Sequence, residues 1–291
     1  MTHLLILGAG FSGKAIGDVF REAGFSVSGT TRSEEKAESL RALGIEPLLY
    51  DGGVISEALA ADMARASHVV QSIAPGKDGD PLFRAGSPEL SVLMPRLEWA
   101  GYLSTVGVYG DHKGAWVTEE TVLNPVSARS VERVEAENHW LGFGKASALP
   151  VAVLRLAGIY GPGRNALRNM EEGTARRLIK PDQVFNRIHV EDIGRSALFL
   201  AGKRLGGVWN ITDHEPGPPQ DVVAEAARLM GLPVPPDIPF ETAELSPMAR
   251  SFYGENKRVS NAKLRAAGFE FRFPNYRQSL ADLWSSGRWR G

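Results

Sequence analysis

Residues 4–24 read LLILGAGFSGKAIGDVFREAG, and this stretch decides the fold. Leu4 to Leu7 form a short apolar run, and a glycine-rich turn follows directly. Apolar residues then recur at helical spacing until Gly24 stops the pattern. These residues are Ala15, Ile16, Val19, Phe20 and Ala23. The sequence therefore predicts a strand, a tight turn and an amphipathic helix in immediate succession.

The same strand–helix unit repeats along the first half of the chain. Further strands are predicted over residues 25–30, 45–50, 68–74, 102–106 and 151–156. Helices are predicted over residues 33–43, 56–66 and 127–143. Alternating strands and helices are typical of a parallel sheet with right-handed crossovers. We predict an α/β fold, a Rossmann doubly wound parallel sheet with a smaller C-terminal lobe.

The turn after the first strand matches the pattern G-x-G-x-x-G. Gly8 permits the tight turn, Gly10 lets the backbone approach a pyrophosphate, and Gly13 lets the helix lie close to the sheet. Phe11 and Ser12 begin the helix, whose free N–H groups would hold phosphate oxygens. The alternative is a glycine turn without a ligand. The strand–helix context favours dinucleotide binding.

The end of the second strand indicates which dinucleotide is bound. An NAD site usually places an acidic residue there to hold the ribose 2′-hydroxyl. This chain has Thr31, Arg32 and Ser33 instead, and its first acid is Glu34. Arg32 could pair with a 2′-phosphate, although an arginine at a helix start is also ordinary surface chemistry. We expect NADP(H), with NAD(H) as the less favoured alternative.

The regular alternation of strands and helices ends after Gly161-Pro162-Gly163. Residues 164–187 are rich in charge, and a helix over 193–200, a strand over 208–211 and a helix over 222–230 follow. We predict an NAD(P)-binding domain over residues 1–163 and a smaller substrate lobe over residues 164–291. Segments around residues 186–213 are expected to return to the first domain.

The composition excludes several classes of function. Of the 291 residues 43% are hydrophobic and 23% are charged, which is ordinary for a globular protein. The 33 basic and 34 acidic residues nearly cancel, so no global field favours nucleic acid or an anionic membrane. The absence of cysteine excludes disulfides and thiolate chemistry. We expect a small-molecule substrate as the partner, while the oligomeric state is left open.

The sequence shows neither a metal-ligand pattern nor a targeting or membrane-spanning segment at its start. The six histidines show no metal-ligand spacing, so we predict no metal site. The chain starts without a basic leader, and its first apolar run is too short to cross a bilayer. We therefore expect a cytoplasmic location.

Six motifs together resemble the extended short-chain dehydrogenase/reductase superfamily, in its nucleotide-sugar epimerase/dehydratase branch. They are LGAGFSG at 7–13, LSTVGVYGD at 103–111, VTEETVLNP at 117–125, LRLAGIYGPGR at 154–164, NRIHVEDI at 186–193 and GVWNITDHEP at 207–216. They run over nearly the whole chain in the family's order. The glycine loop is one residue shorter than the usual G-x-x-G-x-x-G of that branch. The chain is thus similar to the atypical subgroup.

The resemblance implies a catalytic apparatus that this chain keeps only in part. The family's carbonyl-polarising hydroxyl falls on Thr105. Counting back from Glu137, the lysine of the family's Tyr-x-x-x-Lys pair is replaced by Arg133 and the tyrosine by Arg129. An arginine could donate to ribose hydroxyls but cannot serve as an acid or base. Alternatively, both arginines pair with neighbouring glutamates on an exposed helix face.

Other residues are site candidates by their position after predicted strands. Tyr109 and Tyr160 could replace the missing phenol, although such tyrosines more often pack against a turn. Asp51 follows the third strand, where the family contacts adenine, or it simply forms the turn. Ser72, Ile73 and Ala74 close the fourth strand, where the family's backbone lines the cofactor.

The charged segment suggests the nature of the substrate. Its six basic residues are Arg164, Arg168, Arg176, Arg177, Lys180 and Arg187. They predict an anionic substrate gripped by Arg164 and Arg187, or else a solvated basic surface. His189 and Asp192 are interpreted as structural, with Asp192 as a helix cap, and Trp284 and Trp289 as packing anchors.

Two functions follow from these features. The first is an NADP(H)-dependent oxidoreductase or epimerase-like enzyme on a small, anionic or nucleotide-sugar-like substrate. The alternative is a noncatalytic NADP(H)-binding redox sensor or scaffold. Loss of the tyrosine and lysine favours the sensor, whereas Thr105 and a substantial second lobe favour the enzyme.

Overall fold

A computed structural model describes residues 2–84 and 89–291 of the chain, except for the Met248 side chain. Its main feature is a seven-stranded sheet. The strands are β1 (His3–Leu7), β2 (Ser26–Thr31), β3 (Glu46–Leu49), β4 (His68–Gln71), β5 (Trp99–Thr105), β7 (Val151–Leu156) and β11 (Gly207–Ile211). They lie in the order β11-β7-β5-β4-β1-β2-β3. The pairs β1–β2, β1–β4, β2–β3 and β4–β5 are parallel. The predicted α/β fold is confirmed.

Helices connect these strands and also build the rest of the chain. They are α1 (Phe11–Glu22), α2 (Glu34–Arg41), α3 (Glu57–Arg65), α4 (Leu90–Leu93), α5 (Ala128–Ser147), α6 (Ala166–Glu171), α7 (Val190–Gly202), α8 (Pro219–Met230), α9 (Pro247–Phe252), α10 (Ala262–Ala266) and α11 (Tyr276–Ser285). Short 3₁₀ turns cover Val106–Tyr109 and Arg288–Arg290. No helix in the described ranges combines the length and apolar character that a membrane span requires.

The remaining strands form three two-stranded parallel sheets. β8 (Gly158–Tyr160) pairs with β10 (Arg187–His189), β9 (Arg177–Ile179) with β12 (Asp237–Pro239), and β6 (Trp116–Val117) with β13 (Arg258–Val259).

The chain divides into two compact units. The first unit comprises Met1–Val108, Pro125–Arg155 and Ile193–Trp209, and the second comprises Tyr109–Asn124, Leu156–Asp192 and Asn210–Gly291. An apolar core of the first unit includes Leu5, Met63, Val69, Tyr102 and Trp140, all fully buried. A core of the second unit gathers Leu167, Tyr276, Leu280 and Trp289.

A buried ion pair fastens α5 to the central strands of the first unit. Arg155 of β7 donates to the Glu137 carboxylate of α5 through Nη2 at 2.7 Å, and both side chains are at most 5% exposed. The Ser104 hydroxyl of β5 donates to the same carboxylate at 2.5 Å. The helix that carries Arg129 and Arg133 is thereby held in a fixed register against the sheet.

Several predicted boundaries are wrong, for identifiable reasons. The fourth strand was expected to reach Ala74 but ends at Gln71, whose side-chain oxygen accepts from the Ile73 N–H at 3.1 Å. Asp192 is expected near a helix start, and it lies in the first turn of α7. Its carboxylate accepts from the N–H groups of Arg272 and Phe273, both at 2.9 Å.

The buried ion pair gives a stability prediction. Arg155→Leu leaves the Glu137 charge buried without its cation, so we expect the free energy of unfolding to fall by about 3–5 kcal/mol. Arg41→Leu removes an exposed pair with Glu38 as a matched control and should cost less than about 1 kcal/mol. Urea unfolding of the three proteins measures both values, and equal losses would contradict the assignment.

Candidate functional site

The glycine turn is tied to the neighbouring strand by one threonine. The Gly8 N–H donates to the Thr30 hydroxyl at 2.7 Å, and the Ala9 N–H donates to the Thr30 carbonyl at 2.9 Å. Gly8 has a φ of +89°, a conformation that L side chains rarely adopt. The turn is therefore fixed against β2 in a shape that requires glycine.

The three glycines of the motif differ in what surrounds them. A Cβ on Gly8 would lie 2.9 Å from Ile73 Cγ1, and one on Gly13 would lie 2.9 Å from the Gly8 carbonyl oxygen. A Cβ on Gly10 would meet no atom of the described residues within 4 Å. Gly8 and Gly13 are thus required by packing. Gly10 faces open space, so a ligand could closely approach the protein backbone there.

The start of α1 is suited to an anion. Gly10 is its N-cap and provides no side-chain hydrogen bond, and the first turn contains no acidic residue. The positive end of the helix dipole is therefore left without a compensating group from the cap. The open cradle at Gly10 and this helix end together fit the pyrophosphate of a dinucleotide.

The residues after β4 lie against the glycine turn. The Ser72 N–H donates to the Leu7 carbonyl at 2.8 Å, and Ile73 contacts Gly8 as described above. Since the chain order reverses between β1 and β4, this is the switch point where such sheets bind ligands. The structure thus brings Ser72, Ile73 and the glycine turn together, and exposed Ala74 follows them.

A buried carboxylate that the sequence did not single out supports this segment. Asp80 accepts from the Gln71 side chain at 2.9 Å, from the Leu82 N–H at 2.9 Å and from the Trp140 indole at 3.1 Å. Gln71 in turn holds Ile73. Asp80 therefore acts as a positioning residue for the chain after β4.

The end of β2 presents polar groups with no acid among them. Thr31 is the last residue of β2, Arg32 is exposed, and Ser33 is the N-cap of α2. The Ser33 hydroxyl makes no capping hydrogen bond. Ser33 therefore does not use its hydroxyl to begin the helix. Asp51, after β3, accepts from the Gly53 N–H at 2.9 Å, which is the geometry of a turn-forming aspartate.

Lys14 is a second cation that the sequence reasoning missed. It directly follows Gly13 in α1, and its Nζ donates to the Ser39 hydroxyl of α2 at 2.9 Å. The half-buried side chain thus lies between the helix that carries the glycine turn and the helix that follows Arg32. Its position could have been predicted only by knowing that α1 packs beside α2.

Hydroxyl groups meet where β5 ends and α5 begins. The Thr105 Oγ1 accepts from the Gly107 N–H at 3.1 Å, so the threonine proton is left to donate elsewhere. A Cβ on Gly107 would lie 3.4 Å from Thr105 Oγ1 and 3.2 Å from Ser130 Oγ. Ser130 Oγ lies 2.9 Å from Ser127 Oγ. The sequence reasoning identified Thr105 but not the two serines.

The two arginines at the family's tyrosine and lysine positions have different surroundings. Arg129 is exposed, whereas half-buried Arg133 donates to the Leu103 carbonyl and lies over the Tyr102 ring, 5.9 Å from its centroid. Burial raises the pKa of Tyr102 to about 12, so this phenol is a poor acid. Arg133 is thus bound to β5 rather than to neighbouring glutamates, and its catalytic role stays a prediction.

The two tyrosine candidates lie in the second unit. Tyr109 is fully buried, and its hydroxyl donates to the Asn210 side chain at 2.7 Å. Tyr160 ends β8, and its hydroxyl is buried close to the Ser279 side chain of α11. Burial raises its pKa well above the ordinary value. Their roles as acids stay predictions.

Most of the basic segment is engaged within the second unit. Arg187 is buried and donates to the carbonyls of Phe185, Gly217 and Pro218. Other members contact acids or carbonyls: Arg168 with Glu171 and Glu172, Arg176 with the Glu244 carbonyl, Arg177 with Asp237, and Lys180 with the Tyr253 carbonyl. Arg164 is exposed in a turn that Gly161 closes. Of the two arginines proposed to grip a substrate, Arg187 is instead used to hold backbone.

No family model matches the chain. Protein YeeZ of Escherichia coli K12 is 30% identical over 291 residues, covering 94% of this chain and 97% of that protein. A 3-diazoavenalumate denitrifying reductase from Streptomyces is 28% identical over 149 residues, 46% of this chain and 47% of its own length.

Solved structures extend the comparison. A functionally unknown conserved protein from Silicibacter pomeroyi is 43% identical, with a TM-score of 0.90 over 99% of this chain and all of its own. A dTDP-glucose 4,6-dehydratase from Bacillus anthracis in complex with NAD is 19% identical, with a TM-score of 0.76 over 99% and 97% of the two chains. The resemblance to the short-chain dehydrogenase/reductase superfamily is confirmed in the fold.

Asp213 gives a prediction of pH dependence. Burial raises the pKa of its carboxyl from 3.8 to about 7, although the hydrogen bond from the Glu215 N–H and the Arg187 charge both lower it. Between these two pKa values the folded protein binds more protons than the unfolded chain, so this group's contribution to stability falls as pH rises from about 4 to 7.

Asp213→Asn removes this titration. We expect the wild type to lose up to about 4 kcal/mol relative to the variant between pH 4 and 7, with a constant difference above that range. Denaturant unfolding across pH measures the difference. A difference that is the same at pH 4 and pH 7 would contradict the assignment.

Proposed function

This chain belongs to the family of Protein YeeZ, and we propose that it is an NADP(H)-dependent oxidoreductase acting on a small molecule. The observation that carries the proposal is the open cradle at Gly10 beside the uncapped start of α1. In that cradle the backbone can approach a pyrophosphate, and the helix dipole favours its charge. The NAD complex of the similarly folded dehydratase supports a nicotinamide dinucleotide as the ligand.

The preference for NADP(H) rests on the groups after β2. Arg32 and the Ser33 hydroxyl stand where an NAD site would carry an acid. Lys14, held at Ser39 on α2, adds a second cation on the adjoining helix. A 2′-phosphate would therefore meet two cations and a hydroxyl donor.

The reaction chemistry is assigned to the hydroxyls at the end of β5. A bound nicotinamide supplies or accepts a hydride. The protein must then donate a proton to the substrate oxygen, or remove one from it. The Thr105 proton is free to polarise that oxygen, because the Thr105 oxygen already accepts from Gly107. Ser130 and Ser127 provide a hydroxyl pair through which a proton can pass toward solvent. Such a pair is a weaker acid than a phenol activated by lysine.

The substrate is proposed to be a small molecule, anionic or nucleotide-sugar-like. The names of the similar proteins, a dTDP-glucose dehydratase and a denitrifying reductase, agree with a small-molecule substrate. Arg164, exposed in the turn after Tyr160, is the residue of the basic segment that we propose for contact with an anionic group.

The cofactor preference is measurable by titration calorimetry with NADPH and NADH. Each charge-assisted contact to the 2′-phosphate contributes about 1.5–3 kcal/mol, so we expect roughly ten- to hundredfold tighter binding of NADPH. Arg32→Ala should remove most of this preference, and Lys14→Met should reduce it. Arg21→Ala, which changes an exposed arginine of α1 paired with Asp18, is the control and should leave it unchanged. Equal affinities for the two cofactors in the wild type would overturn the assignment.

Turnover tests the chemistry. On a panel of aldehydes, ketones and nucleotide sugars we expect slow NADPH-dependent reduction, below about 1 s⁻¹, because the tyrosine–lysine pair is missing. Thr105→Val should lower kcat about 10²-fold, and Ser130→Ala about tenfold, with the Kd for NADPH unchanged. Ser147→Ala, an exposed serine of α5, is the control. If NADPH binds but no panel member reacts, the noncatalytic sensor or scaffold would be favoured instead.

A further inference from the structure

A small cavity in the second unit is bordered by polar groups that the proposed reaction does not use. Its volume is about 120 Å³, and its lining includes Trp116, His214, Ser260, Asn261 and Arg265. All of these residues belong to the second unit, whereas the glycine turn belongs to the first. What the cavity binds is therefore decided by residues of the second unit alone.

The lining contains an imidazole that is held in one orientation. Asn261 Nδ2 lies 2.8 Å from His214 Nδ1, and the same nitrogen donates to the carbonyls of Thr212 and Asp213 at 2.9 and 3.0 Å. Because this nitrogen is a donor, His214 Nδ1 is the acceptor and the ring proton is on Nε2. Phe271 packs edge-on against the ring, with 5.0 Å between the centroids. His214 is thus a fixed N–H donor, and no residue in the described ranges accepts from its Nε2.

Two further donors border the cavity. Ser260 Oγ accepts from the Ala262 N–H at 3.2 Å, which leaves the hydroxyl proton to donate. Arg265 is exposed, and its guanidinium forms no hydrogen bond or ion pair with any residue that the structure describes. Partial burial of the His214 ring lowers its pKa, and so does the Arg265 charge, so the imidazole is neutral at pH 7. The cavity therefore offers three donors, of which the guanidinium alone is charged.

Trp116 adds an aromatic surface to these donors. It is 60% exposed, and its ring has no aromatic or cationic partner in the described part of the chain. The pairing of β6 with β13, which places Val117 beside Val259, brings Trp116 next to the segment that carries Ser260. Tryptophan is mostly buried in proteins, and an uncovered indole face favours stacking on another flat ring.

The charges of the lining restrict the class of ligand. Among the described residues Arg265 is its one cation, and its one acid, Asp213, is buried and accepts from the Glu215 N–H at 3.0 Å. A single cation neutralises a monoanion, whereas a phosphate dianion would keep an uncompensated charge. The planar guanidinium also matches the two oxygens of a carboxylate. The lining therefore favours a carboxylate.

We propose that this cavity binds a small aromatic carboxylate. The carboxylate oxygens accept from the Arg265 guanidinium, from His214 Nε2 and from the Ser260 hydroxyl, while the ring of the ligand stacks on Trp116. Pockets for drug-sized ligands measure about 300–1,000 Å³, so this cavity admits a smaller molecule and not a dinucleotide. The ligand is a second one, and the proposal does not depend on the proposed function.

NMR titration of the ¹⁵N-labelled full chain with benzoate tests the site. The indole N–H signal of Trp116 is assigned by its loss in Trp116→Phe, and the backbone N–H signals of Ser260 and Ala262 report binding in the variants. We expect these signals to shift with a Kd on the order of 1 mM, because a small ligand makes few contacts. Arg265→Gln should weaken benzoate binding about ten- to hundredfold, and Trp116→Ala about fivefold.

Two control variants remove similar side chains elsewhere in the second unit. Arg228→Gln changes an exposed arginine of α8, Phe252→Ala removes an exposed ring of α9, and both should leave the Kd for benzoate unchanged. Acetate, which has no ring, should bind the wild type about fivefold more weakly than benzoate and should be insensitive to Trp116→Ala.

Three outcomes would overturn the proposal. One is the absence of any shift up to about 20 mM benzoate, a concentration that nearly saturates a site of this affinity. Another is a benzoate affinity that Arg265→Gln or Trp116→Ala leaves unchanged. The third is tighter binding of inorganic phosphate than of benzoate, which would show that charge alone attracts the ligand.

Discussion

The close approach of helix α1 to the sheet is the constraint on which the rest of the first unit depends. A Cβ on Gly13 would lie 2.9 Å from the Gly8 carbonyl, and one on Gly17 would lie 2.7 Å from Ile45. A Cβ on Gly194 of α7 would likewise lie 2.8 Å from the Ala15 carbonyl oxygen of α1. Any larger residue at these points would push the helix away and move the N–H groups of its first turn. The geometry of the glycine turn and of the start of α1 is thus set by this packing.

Much of this architecture is predictable from sequence because its signals are local and periodic. The strand Val151–Leu156 has the bounds that its apolar run predicts, and the first helix begins at the glycine motif. The segment of residues 164–187 lacks such signals. It contains three-residue strands such as Arg177–Ile179 and a six-residue helix, which are too short to show a period. Their partners, such as β12, are far away in the sequence.

The sequence predicts only the part of the candidate site that lies at the carboxyl ends of the parallel strands. Residues that follow β1 and β4 meet each other and Thr30 of β2, because the carboxyl ends of parallel strands share one edge of the sheet. Lys14 and Ser130 escaped prediction because their contacts cross from one helix to another or from a helix to a turn. Asp192 is correctly interpreted as structural, but the sequence does not predict its partners. Its carboxylate accepts from backbone N–H groups 80 residues away, which no local capping rule anticipates.

The basic segment shows how charge in a sequence can mislead about ligands. Short, irregular elements leave many backbone carbonyls without ladder partners, and these carbonyls need donors. Arginine supplies five N–H donors in a fixed geometry, so it can satisfy several carbonyls at once, as Arg187 does. The charge of this buried arginine lowers the pKa of the nearby Asp213 carboxyl, although burial raises that pKa to about 7. Clustered arginines in a segment without periodicity can therefore indicate backbone carbonyls that need hydrogen-bond donors. They indicate this at least as strongly as they indicate an anionic substrate.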